Sequence, residues 1–378
     1  MHEHKHNQCR RKVKHRKNVM KLIIFCITVG ISLMFIYYQN LRKEIDARQK
    51  WLETVLTGEK KWILENQGPE GEFYMNGSKA GDVNPYFACM AALGLLAETK
   101  NCPITETEKK AVGRYLDWHT GILLETDGKM GIYRKKSGKL IYKEKADSED
   151  GYLGMYLFLM GKYLEKTEST DLPEYWKKGI SLALKKIQSL MQDGITQVSE
   201  ENTTVYLMDN LEVWKGLYEL EHAGLKDVQA IREMRNKLQA QIEKLFWDDA
   251  NQRWRIIENS DLYHQKEFYP DGVAQIYPLI YEFPVKEKKK QKILYEQFTE
   301  RFQWQKLNKK RNGFLWAMAG MAAAQMGDIN NLLEMIRNYE AEYCENRKYP
   351  LYTGEAGWIC MECEKLYSLY EIKTGFWG

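Results

Sequence analysis

From about residue 41 to residue 371 the sequence alternates between two kinds of helical stretch, and no other feature limits the fold as tightly. One kind is represented by PEYWKKGISLALKKIQSLMQ (173–192) and KDVQAIREMRNKLQAQIEKLFW (226–247). These are rich in Lys and Glu, with apolar residues at helical spacing, as in a helix with one wet face. The other kind is represented by ADSEDGYLGMYLFLMGKYL (146–164) and GFLWAMAGMAAAQMG (313–327). These have almost no polar face, as in a helix buried on all sides. Twelve such stretches follow one another, polar at odd positions and apolar at even ones, so the unit of repetition is a helical hairpin. A closed ring hides every apolar helix behind an amphipathic one. The expected fold is therefore all-α, an (α/α)6 barrel of six helical hairpins. Small β-hairpin loops are expected too, the clearest at GIYRKKSGKLIYKE (131–144), which alternates around Ser137-Gly138. An open solenoid of hairpins is the alternative, because hairpins alone do not force closure.

The N-terminus reads differently. Residues 1–21 hold eight Lys or Arg against Glu3, although the whole chain carries a net charge of only +4. The remainder is thus mildly acidic, which gives no reason to expect nucleic acid. Leu22–Tyr38 has no charged residue in 17 positions, the short end of a membrane-spanning helix. The flank Tyr37-Tyr38-Gln39-Asn40 lacks the small residues of a signal-peptide cleavage site. The expected organisation is a basic cytoplasmic tail (1–21), a transmembrane signal anchor (22–38), a juxtamembrane segment (39–50) and an extracytoplasmic domain (51–378). The basic flank places the tail inside, so the chain is expected in the plasma membrane as a single-pass protein. Seven cysteines, of which five follow the anchor, imply no complete disulfide framework. Cys360 and Cys363 form a lone C-x-x-C in a helical pattern and read as buried small hydrophobes.

In a ring of this kind the inner helices run the same way, and their N-terminal ends share one mouth. The sequence at those ends is acidic and aromatic: Asp82-Val83-Asn84-Pro85-Tyr86, Asp147-Ser148-Glu149-Asp150-Gly151-Tyr152, Asp209-Asn210-Leu211-Glu212-Val213-Trp214, Tyr269-Pro270-Asp271-Gly272, Asn312-Gly313-Phe314-Leu315-Trp316 and Gly354-Glu355-Ala356-Gly357-Trp358. A single Asp at a helix start is an ordinary cap. Capping does not explain the i,i+3 pairs Asp147/Asp150 and Asp209/Glu212, since two carboxylates that close repel unless one is protonated or turned to a ligand. Carboxylates beside aromatic faces suit a sugar ring. Two of them are also what glycoside hydrolysis needs, one to protonate the leaving oxygen and one to activate water or attack. No G-x-S-x-G, H-E-x-x-H or G-x-x-x-x-G-K-[ST] competes. His119, His222 and His264 do not cluster in sequence, and His119 reads as structural. No metal or cofactor is expected.

The segments DSEDGYLGMYLFL (147–159) and YLMDNLEVWKGL (206–217) resemble the six-hairpin glycosidase superfamily. The first looks like the Asp-rich inner-helix start of family 8 glycosidases and their exopolysaccharide-cluster relatives. The second is similar to the segment that holds a later essential Asp in those enzymes, and unsaturated glucuronyl hydrolases also divide the work between two inner-helix Asp residues. The resemblance implies Asp150 and Asp209 as catalytic residues, Asp209 as base and Asp150 as acid or substrate orienter. It departs at the first inner helix, where the Glu-Gly-x-x-Tyr-Gly start of family 8 is replaced by Asp82-Val83-Asn84-Pro85-Tyr86. The expected function is a membrane-anchored glycoside hydrolase acting on a cell-surface polysaccharide or exopolysaccharide. Asp82, Tyr86, Asp147, Asp271 and Glu355 would line the site, with Trp214, Trp316 and Trp358 as stacking surfaces. The expected partners are a polysaccharide or oligosaccharide substrate, the membrane and the polysaccharide-synthesis machinery. A polysaccharide lyase and a non-catalytic glycan-binding subunit are the alternatives.

Overall fold

A computed structural model of the chain describes residues 2–77, 81–136, 139–169, 172–258, 267–307 and 314–375, without the side chains of 2–19, 22, 24 and 373–375. The Ser137-Gly138 turn and the Asn312-Gly313 helix start therefore lie outside the described residues. Among those described there are twelve α-helices, in the expected alternation. The outer set is α1 (His2–Glu65), α3 (Glu106–Glu125), α5 (Glu174–Leu190), α7 (Gln229–Phe246), α9 (Lys288–Phe302) and α11 (Ile329–Tyr339). The inner set is α2 (Pro85–Leu95), α4 (Glu149–Thr167), α6 (Leu207–His222), α8 (Val273–Ile280), α10 (Ala319–Met326) and α12 (Thr353–Gly375).

The sequence sets most of the helix starts. Thr105 and Glu108 form a reciprocal capping box at α3. Asn84 caps α2, with Pro85 in its first turn, and Ser148 caps α4. The outer helices bury one stripe, in α5 Trp176, Gly179, Ile180, Ala183, Ile187 and Leu190. In α4, by contrast, every residue from Glu149 to Gly161 is buried. Three short antiparallel hairpins fill connections. They are β1 (Asp82–Val83) with β2 (Gly131–Lys136) and β3 (Lys139–Lys145), then β4 (Met191–Gln192) with β5 (Ile195–Thr196), and β6 (Trp247–Asp248) with β7 (Arg253–Trp254).

The ring closes, and glycine lets it. A Cβ on Gly94 of α2 would lie 2.4 Å from Gly357 Cα of α12, so the last inner helix packs backbone to backbone on the first. The same device joins α4 to α6, where a Cβ on Gly216 would lie 2.3 Å from the Gly154 carbonyl oxygen. Among the inner helices Tyr281 packs edge-on against Phe158 and Trp358, and Trp358 Nε1 lies 3.1 Å from Met90 Sδ.

Three expectations change. The apolar stretch after the fifth outer helix starts its helix at Ala319, not Gly313, because Trp316 holds φ +60° and turns the chain. The fourth inner helix starts at Val273 after an irregular turn over Phe268–Gly272. And α1 runs unbroken from His2 to Glu65, through the expected tail, anchor and first outer helix.

The chain forms two compact units, Glu53–Glu371, which holds the barrel, and a smaller one of residues up to Leu52 with those from Ile372. In the smaller unit the side chains of Ile23, Phe25, Ile27, Ile31, Leu33, Met34, Phe35 and Ile36 are exposed. Among the described residues no helix is long and apolar enough to cross a membrane. The side chains of Leu22 and Ile24, within the expected anchor, lie outside those described.

Candidate active site

The floor of the mouth is a carboxylate held by three tyrosines. Glu212, on the second turn of α6, is 3 % exposed. Its Oε1 accepts from the hydroxyls of Tyr86 on α2, Tyr277 on α8 at 2.7 Å and Tyr281 at 3.4 Å. Burial pushes its carboxyl up to about 7, and the tyrosine donors work against that shift by stabilising the ionised form. Glu212 Oε2 lies on the α4 side, 2.6 Å from where a Gly151 Cβ would stand, and takes no hydrogen bond among the described residues. Glu212 was legible only as the partner of Asp209 at i,i+3. Sequence spacing gave no sign that three distant tyrosines converge on it.

Asp209 sits one turn earlier, and its Oδ1 lies 3.7 Å from the same point beside Gly151. Its Oδ2 is shut from solvent and has no hydrogen-bond partner among the described residues. Burial, the neighbouring Asp150 and then Glu212 hold its carboxyl well above the usual range. Neither side chain caps its helix, since the N-cap of α6 is Tyr206, without a side-chain bond. The capping explanation, sound for many Asp at helix starts, fails for this pair.

Asp150 is a different case. It is 0 % exposed, and donors enclose it: Ser148 Oγ at 2.8 Å and the Gly151 amide at 3.0 Å on Oδ1, and Thr196 Oγ1 at 2.7 Å on Oδ2. Burial still raises it to about 6. Asn210 completes the set by clasping Thr196 of β5 through its side-chain amide. Asp150 therefore fixes the start of α4 against β5 and acts on Asp209 by its charge, with no free oxygen turned to the mouth. Asp147 is exposed, and its charge is felt by Asp209, Glu212 and Tyr269.

An aromatic wall faces these acids. Tyr269, 40 % exposed, packs on Trp316 at 4.9 Å between ring centroids. From Trp316 the contacts run through Phe314 to Phe87 and Tyr352. Glu355 supports the wall from behind, accepting from the Ala317 amide at 2.8 Å and the Trp316 amide at 3.3 Å, and burial raises it to about 7. The carboxylate thus holds the turn that displaces the start of α10 to Ala319.

The remaining candidates lie elsewhere. Asp82 is held in ion pairs with Arg134 and Lys143 of the β2–β3 hairpin, which keep its carboxyl below its ordinary value. Asp271 is buried in the turn before α8. Trp214 and Trp358 are each 2 % exposed. Trp214 packs between Tyr218 and Phe283, and Trp358 against Tyr281 and Met90, so neither offers a face to a sugar. Helical spacing alone cannot separate an inward core residue from one turned to the mouth. His119 is core, enclosed by Tyr115, Tyr156 and Cys89, and burial depresses it to about 3. Cys360 and Cys363 are buried free thiols. Among the described residues no three His, Cys, Asp or Glu side chains could hold a metal ion.

The far end of the barrel has the opposite chemistry. Lys162, Lys166, Lys215 and Lys365 gather at the C-terminal ends of the inner helices, around a cavity of about 240 Å³. Each is paired with a glutamate, Lys166 with Glu98, Lys215 with Glu219, Lys365 with Glu282 and Lys162 with Glu165. Cations there complement the helix dipoles, and each is neutralised by a glutamate.

No protein-family model and no curated protein sequence matches the chain. Solved structures do. A wild-type glycosidase superposes with a TM-score of 0.57 at 12 % identity, over 87 % of this chain and 98 % of that one. A D-mannose isomerase gives 0.56 at 11 % identity, over 84 % and 97 %. A novel alpha-amylase from Clostridium perfringens gives 0.52 at 12 % identity, over 83 % and 97 %. At these identities the likeness is one of architecture, and the chain has the six-hairpin glycosidase-like fold.

Proposed function

We propose that the protein is a glycoside hydrolase whose proton donor is Asp209 and whose base is Glu212. The observation that carries this reading is the contrast between two carboxylates one helical turn apart. Asp209 has an oxygen buried without a donor among the described residues, which favours the protonated acid. Glu212 has an oxygen that accepts tyrosine hydroxyls, which favours the ionised form. Environments that push two carboxyls apart assign acid and base. Asp209 would protonate the glycosidic oxygen as it leaves, and Glu212 Oε2 would take a proton from water or attack the anomeric carbon. Asp150 holds the α4 start and keeps Asp209 protonated through its charge. Tyr269 and Trp316 stack on the sugar, and Tyr86 belongs to the Glu212 cage.

We extend the proposal to an exopolysaccharide or cell-surface polysaccharide as substrate, the polysaccharide-synthesis machinery as partner, and anchoring in the plasma membrane with the barrel outside. The glycosidase neighbours support a carbohydrate substrate. The uncharged 22–38 stretch behind a basic tail supports the anchor. The test is to incubate the purified full-length chain with the source cells' own polysaccharide and count reducing ends. Release that Asp209→Asn and Glu212→Gln both abolish supports the reading. Release that survives both variants removes the site assignment. Tight binding without release moves the protein to the glycan-binding alternative.

A further inference from the structure

We propose that Gly151 is a positioning residue for Glu212: its bare Cα on the first turn of α4 leaves the room in which Glu212 presents Oε2 beside Asp209. The inference rests on the reading of Glu212 as the base and assigns the residue that sets where that base stands.

Three other glycines of α4 and α6 serve close packing. A Cβ on Gly154, Gly161 or Gly216 would meet backbone atoms of the facing helix, at 2.7, 2.5 and 2.3 Å. A Cβ on Gly151 would meet side-chain oxygens instead, Glu212 Oε2 at 2.6 Å, Ser148 Oγ at 2.9 Å and Asp209 Oδ1 at 3.7 Å. The first two are too close for a methyl group, and neither oxygen is free to give way. Turning Glu212 Oε2 aside would carry Oε1 from the hydroxyls of Tyr86, Tyr277 and Tyr281 that hold it. Ser148 Oγ donates to Asp150 at 2.8 Å and accepts from the Gly151 amide at 3.1 Å, so it is tied on both sides.

The helix itself does not call for glycine here. Gly151 has no positive φ, and Ala is the better helix former. What glycine keeps is an open side to Oε2, the oxygen that takes no hydrogen bond among the described residues. A methyl group there would displace Oε2 and strip water from it, which disfavours the ionised carboxylate. The titratable groups around Glu212 are Tyr86 of α2, Asp147 ahead of α4, Asp150 and Tyr152 within it, Asp209 of α6, and Tyr269, Tyr277 and Tyr281 on the α8 side. The tyrosines are all raised, so only carboxyls change charge between pH 4.5 and 8. Asp150, raised to about 6, titrates in that range too, and a background lacking the Glu212 carboxyl separates its share.

The test places Gly151→Ala in the full-length chain and in its Glu212→Ala variant, with thermal melts at pH 4.5 and pH 8. Gly151→Ala should lower the melting temperature of the parent, more at pH 8 than at pH 4.5, because a carboxyl whose folded value is raised further loses more stability as pH rises. In the Glu212→Ala background the same change should be neutral or stabilising, since the oxygen it would strike is gone. With the source cells' own polysaccharide as substrate, Gly151→Ala should lower kcat on the order of 10²-fold, as for a misplaced catalytic group. KM should stay unchanged, and the acidic limb of the pH profile should move up. A melt lowered equally in both backgrounds, failure to fold in both, a loss independent of pH, or kcat and the acidic limb left as in the parent would each overturn the inference and leave Gly151 a packing residue. A parent that releases no reducing ends removes the hydrolase, and the melts in the two backgrounds then decide the role of Gly151 by themselves.

Discussion

The Tyr277 hydroxyl donates to Glu212 Oε1 at 2.7 Å, tying the fourth inner helix to the third at the floor of the mouth. This donor stabilises the ionised carboxylate and opposes the upward push of burial. Tyr277→Phe removes it, so the Glu212 pKa rises. A hydrogen bond to a charged group contributes roughly 1.5–3 kcal/mol, so the acidic limb of kcat/KM should move up by about one pH unit or more. The pH profile of the variant checks this, and an unmoved limb removes Glu212 as the titrating base.

The same carboxyl links stability to pH. Its value rises from 4.5 to about 7 on folding, so between those values the folded state keeps a proton that the unfolded state releases. The contribution of Glu212 is complete below about pH 4.5 and is lost as pH rises through about 7, a penalty on the order of 3 kcal/mol at pH 8. Glu212→Gln, neutral at every pH, should therefore melt higher than the parent at pH 8 and close to it at pH 4.5. Thermal melts at the two pH values decide, and a gain confined to pH 4.5 would reverse the sign.

Asp150 and the proposed pair separate by activity. Asp209→Asn and Glu212→Gln should each lower turnover by roughly 10²–10⁴-fold, the range for a lost general acid or base. Asp150→Asn keeps the shape of a side chain enclosed by Ser148, Gly151 and Thr196. It should lower turnover less and lower the melting temperature more. Steady-state rates with melts on the same samples check the order, and a loss at Asp150 equal to that at Glu212 would restore Asp150 as a catalytic residue.

The two tryptophans make a paired test of the wall. Trp316→Ala should raise KM about tenfold, as for a lost aromatic anchor, with a smaller change in kcat. Trp358→Ala should instead cost about 3–5 kcal/mol of stability, as for a buried aromatic, with KM unchanged in the protein that remains folded. Kinetics and melts of both variants distinguish a stacking surface from a core residue.

Ring closure is testable at Gly94. A methyl there would meet the Gly357 backbone at 2.4 Å, and backbone cannot yield as a side chain can. Gly94→Ala should cost about 1–3 kcal/mol, read as a lower melting temperature. An unchanged melt would mean that α2 and α12 do not pack this closely.

The sequence by itself determined the architecture. Alternating wet and dry helical stretches are a local property, since each face must match its solvent, and Thr105, Asn84 and Ser148 mark helix starts by bonds within three residues. It also determined that the mouth would be acidic and aromatic. Only the tertiary structure decided which of those groups can act. Asp82 meets Arg134 across a hairpin, Asp150 meets Thr196 on β5, Trp358 turns to the axis, and Glu212 receives Tyr86 and Tyr277 from sequence distances of 126 and 65 residues. The physical reason is that a carboxyl's proton affinity depends on burial and on donors brought from other helices. Those donors are set by the closing of the ring and leave no periodicity in the chain.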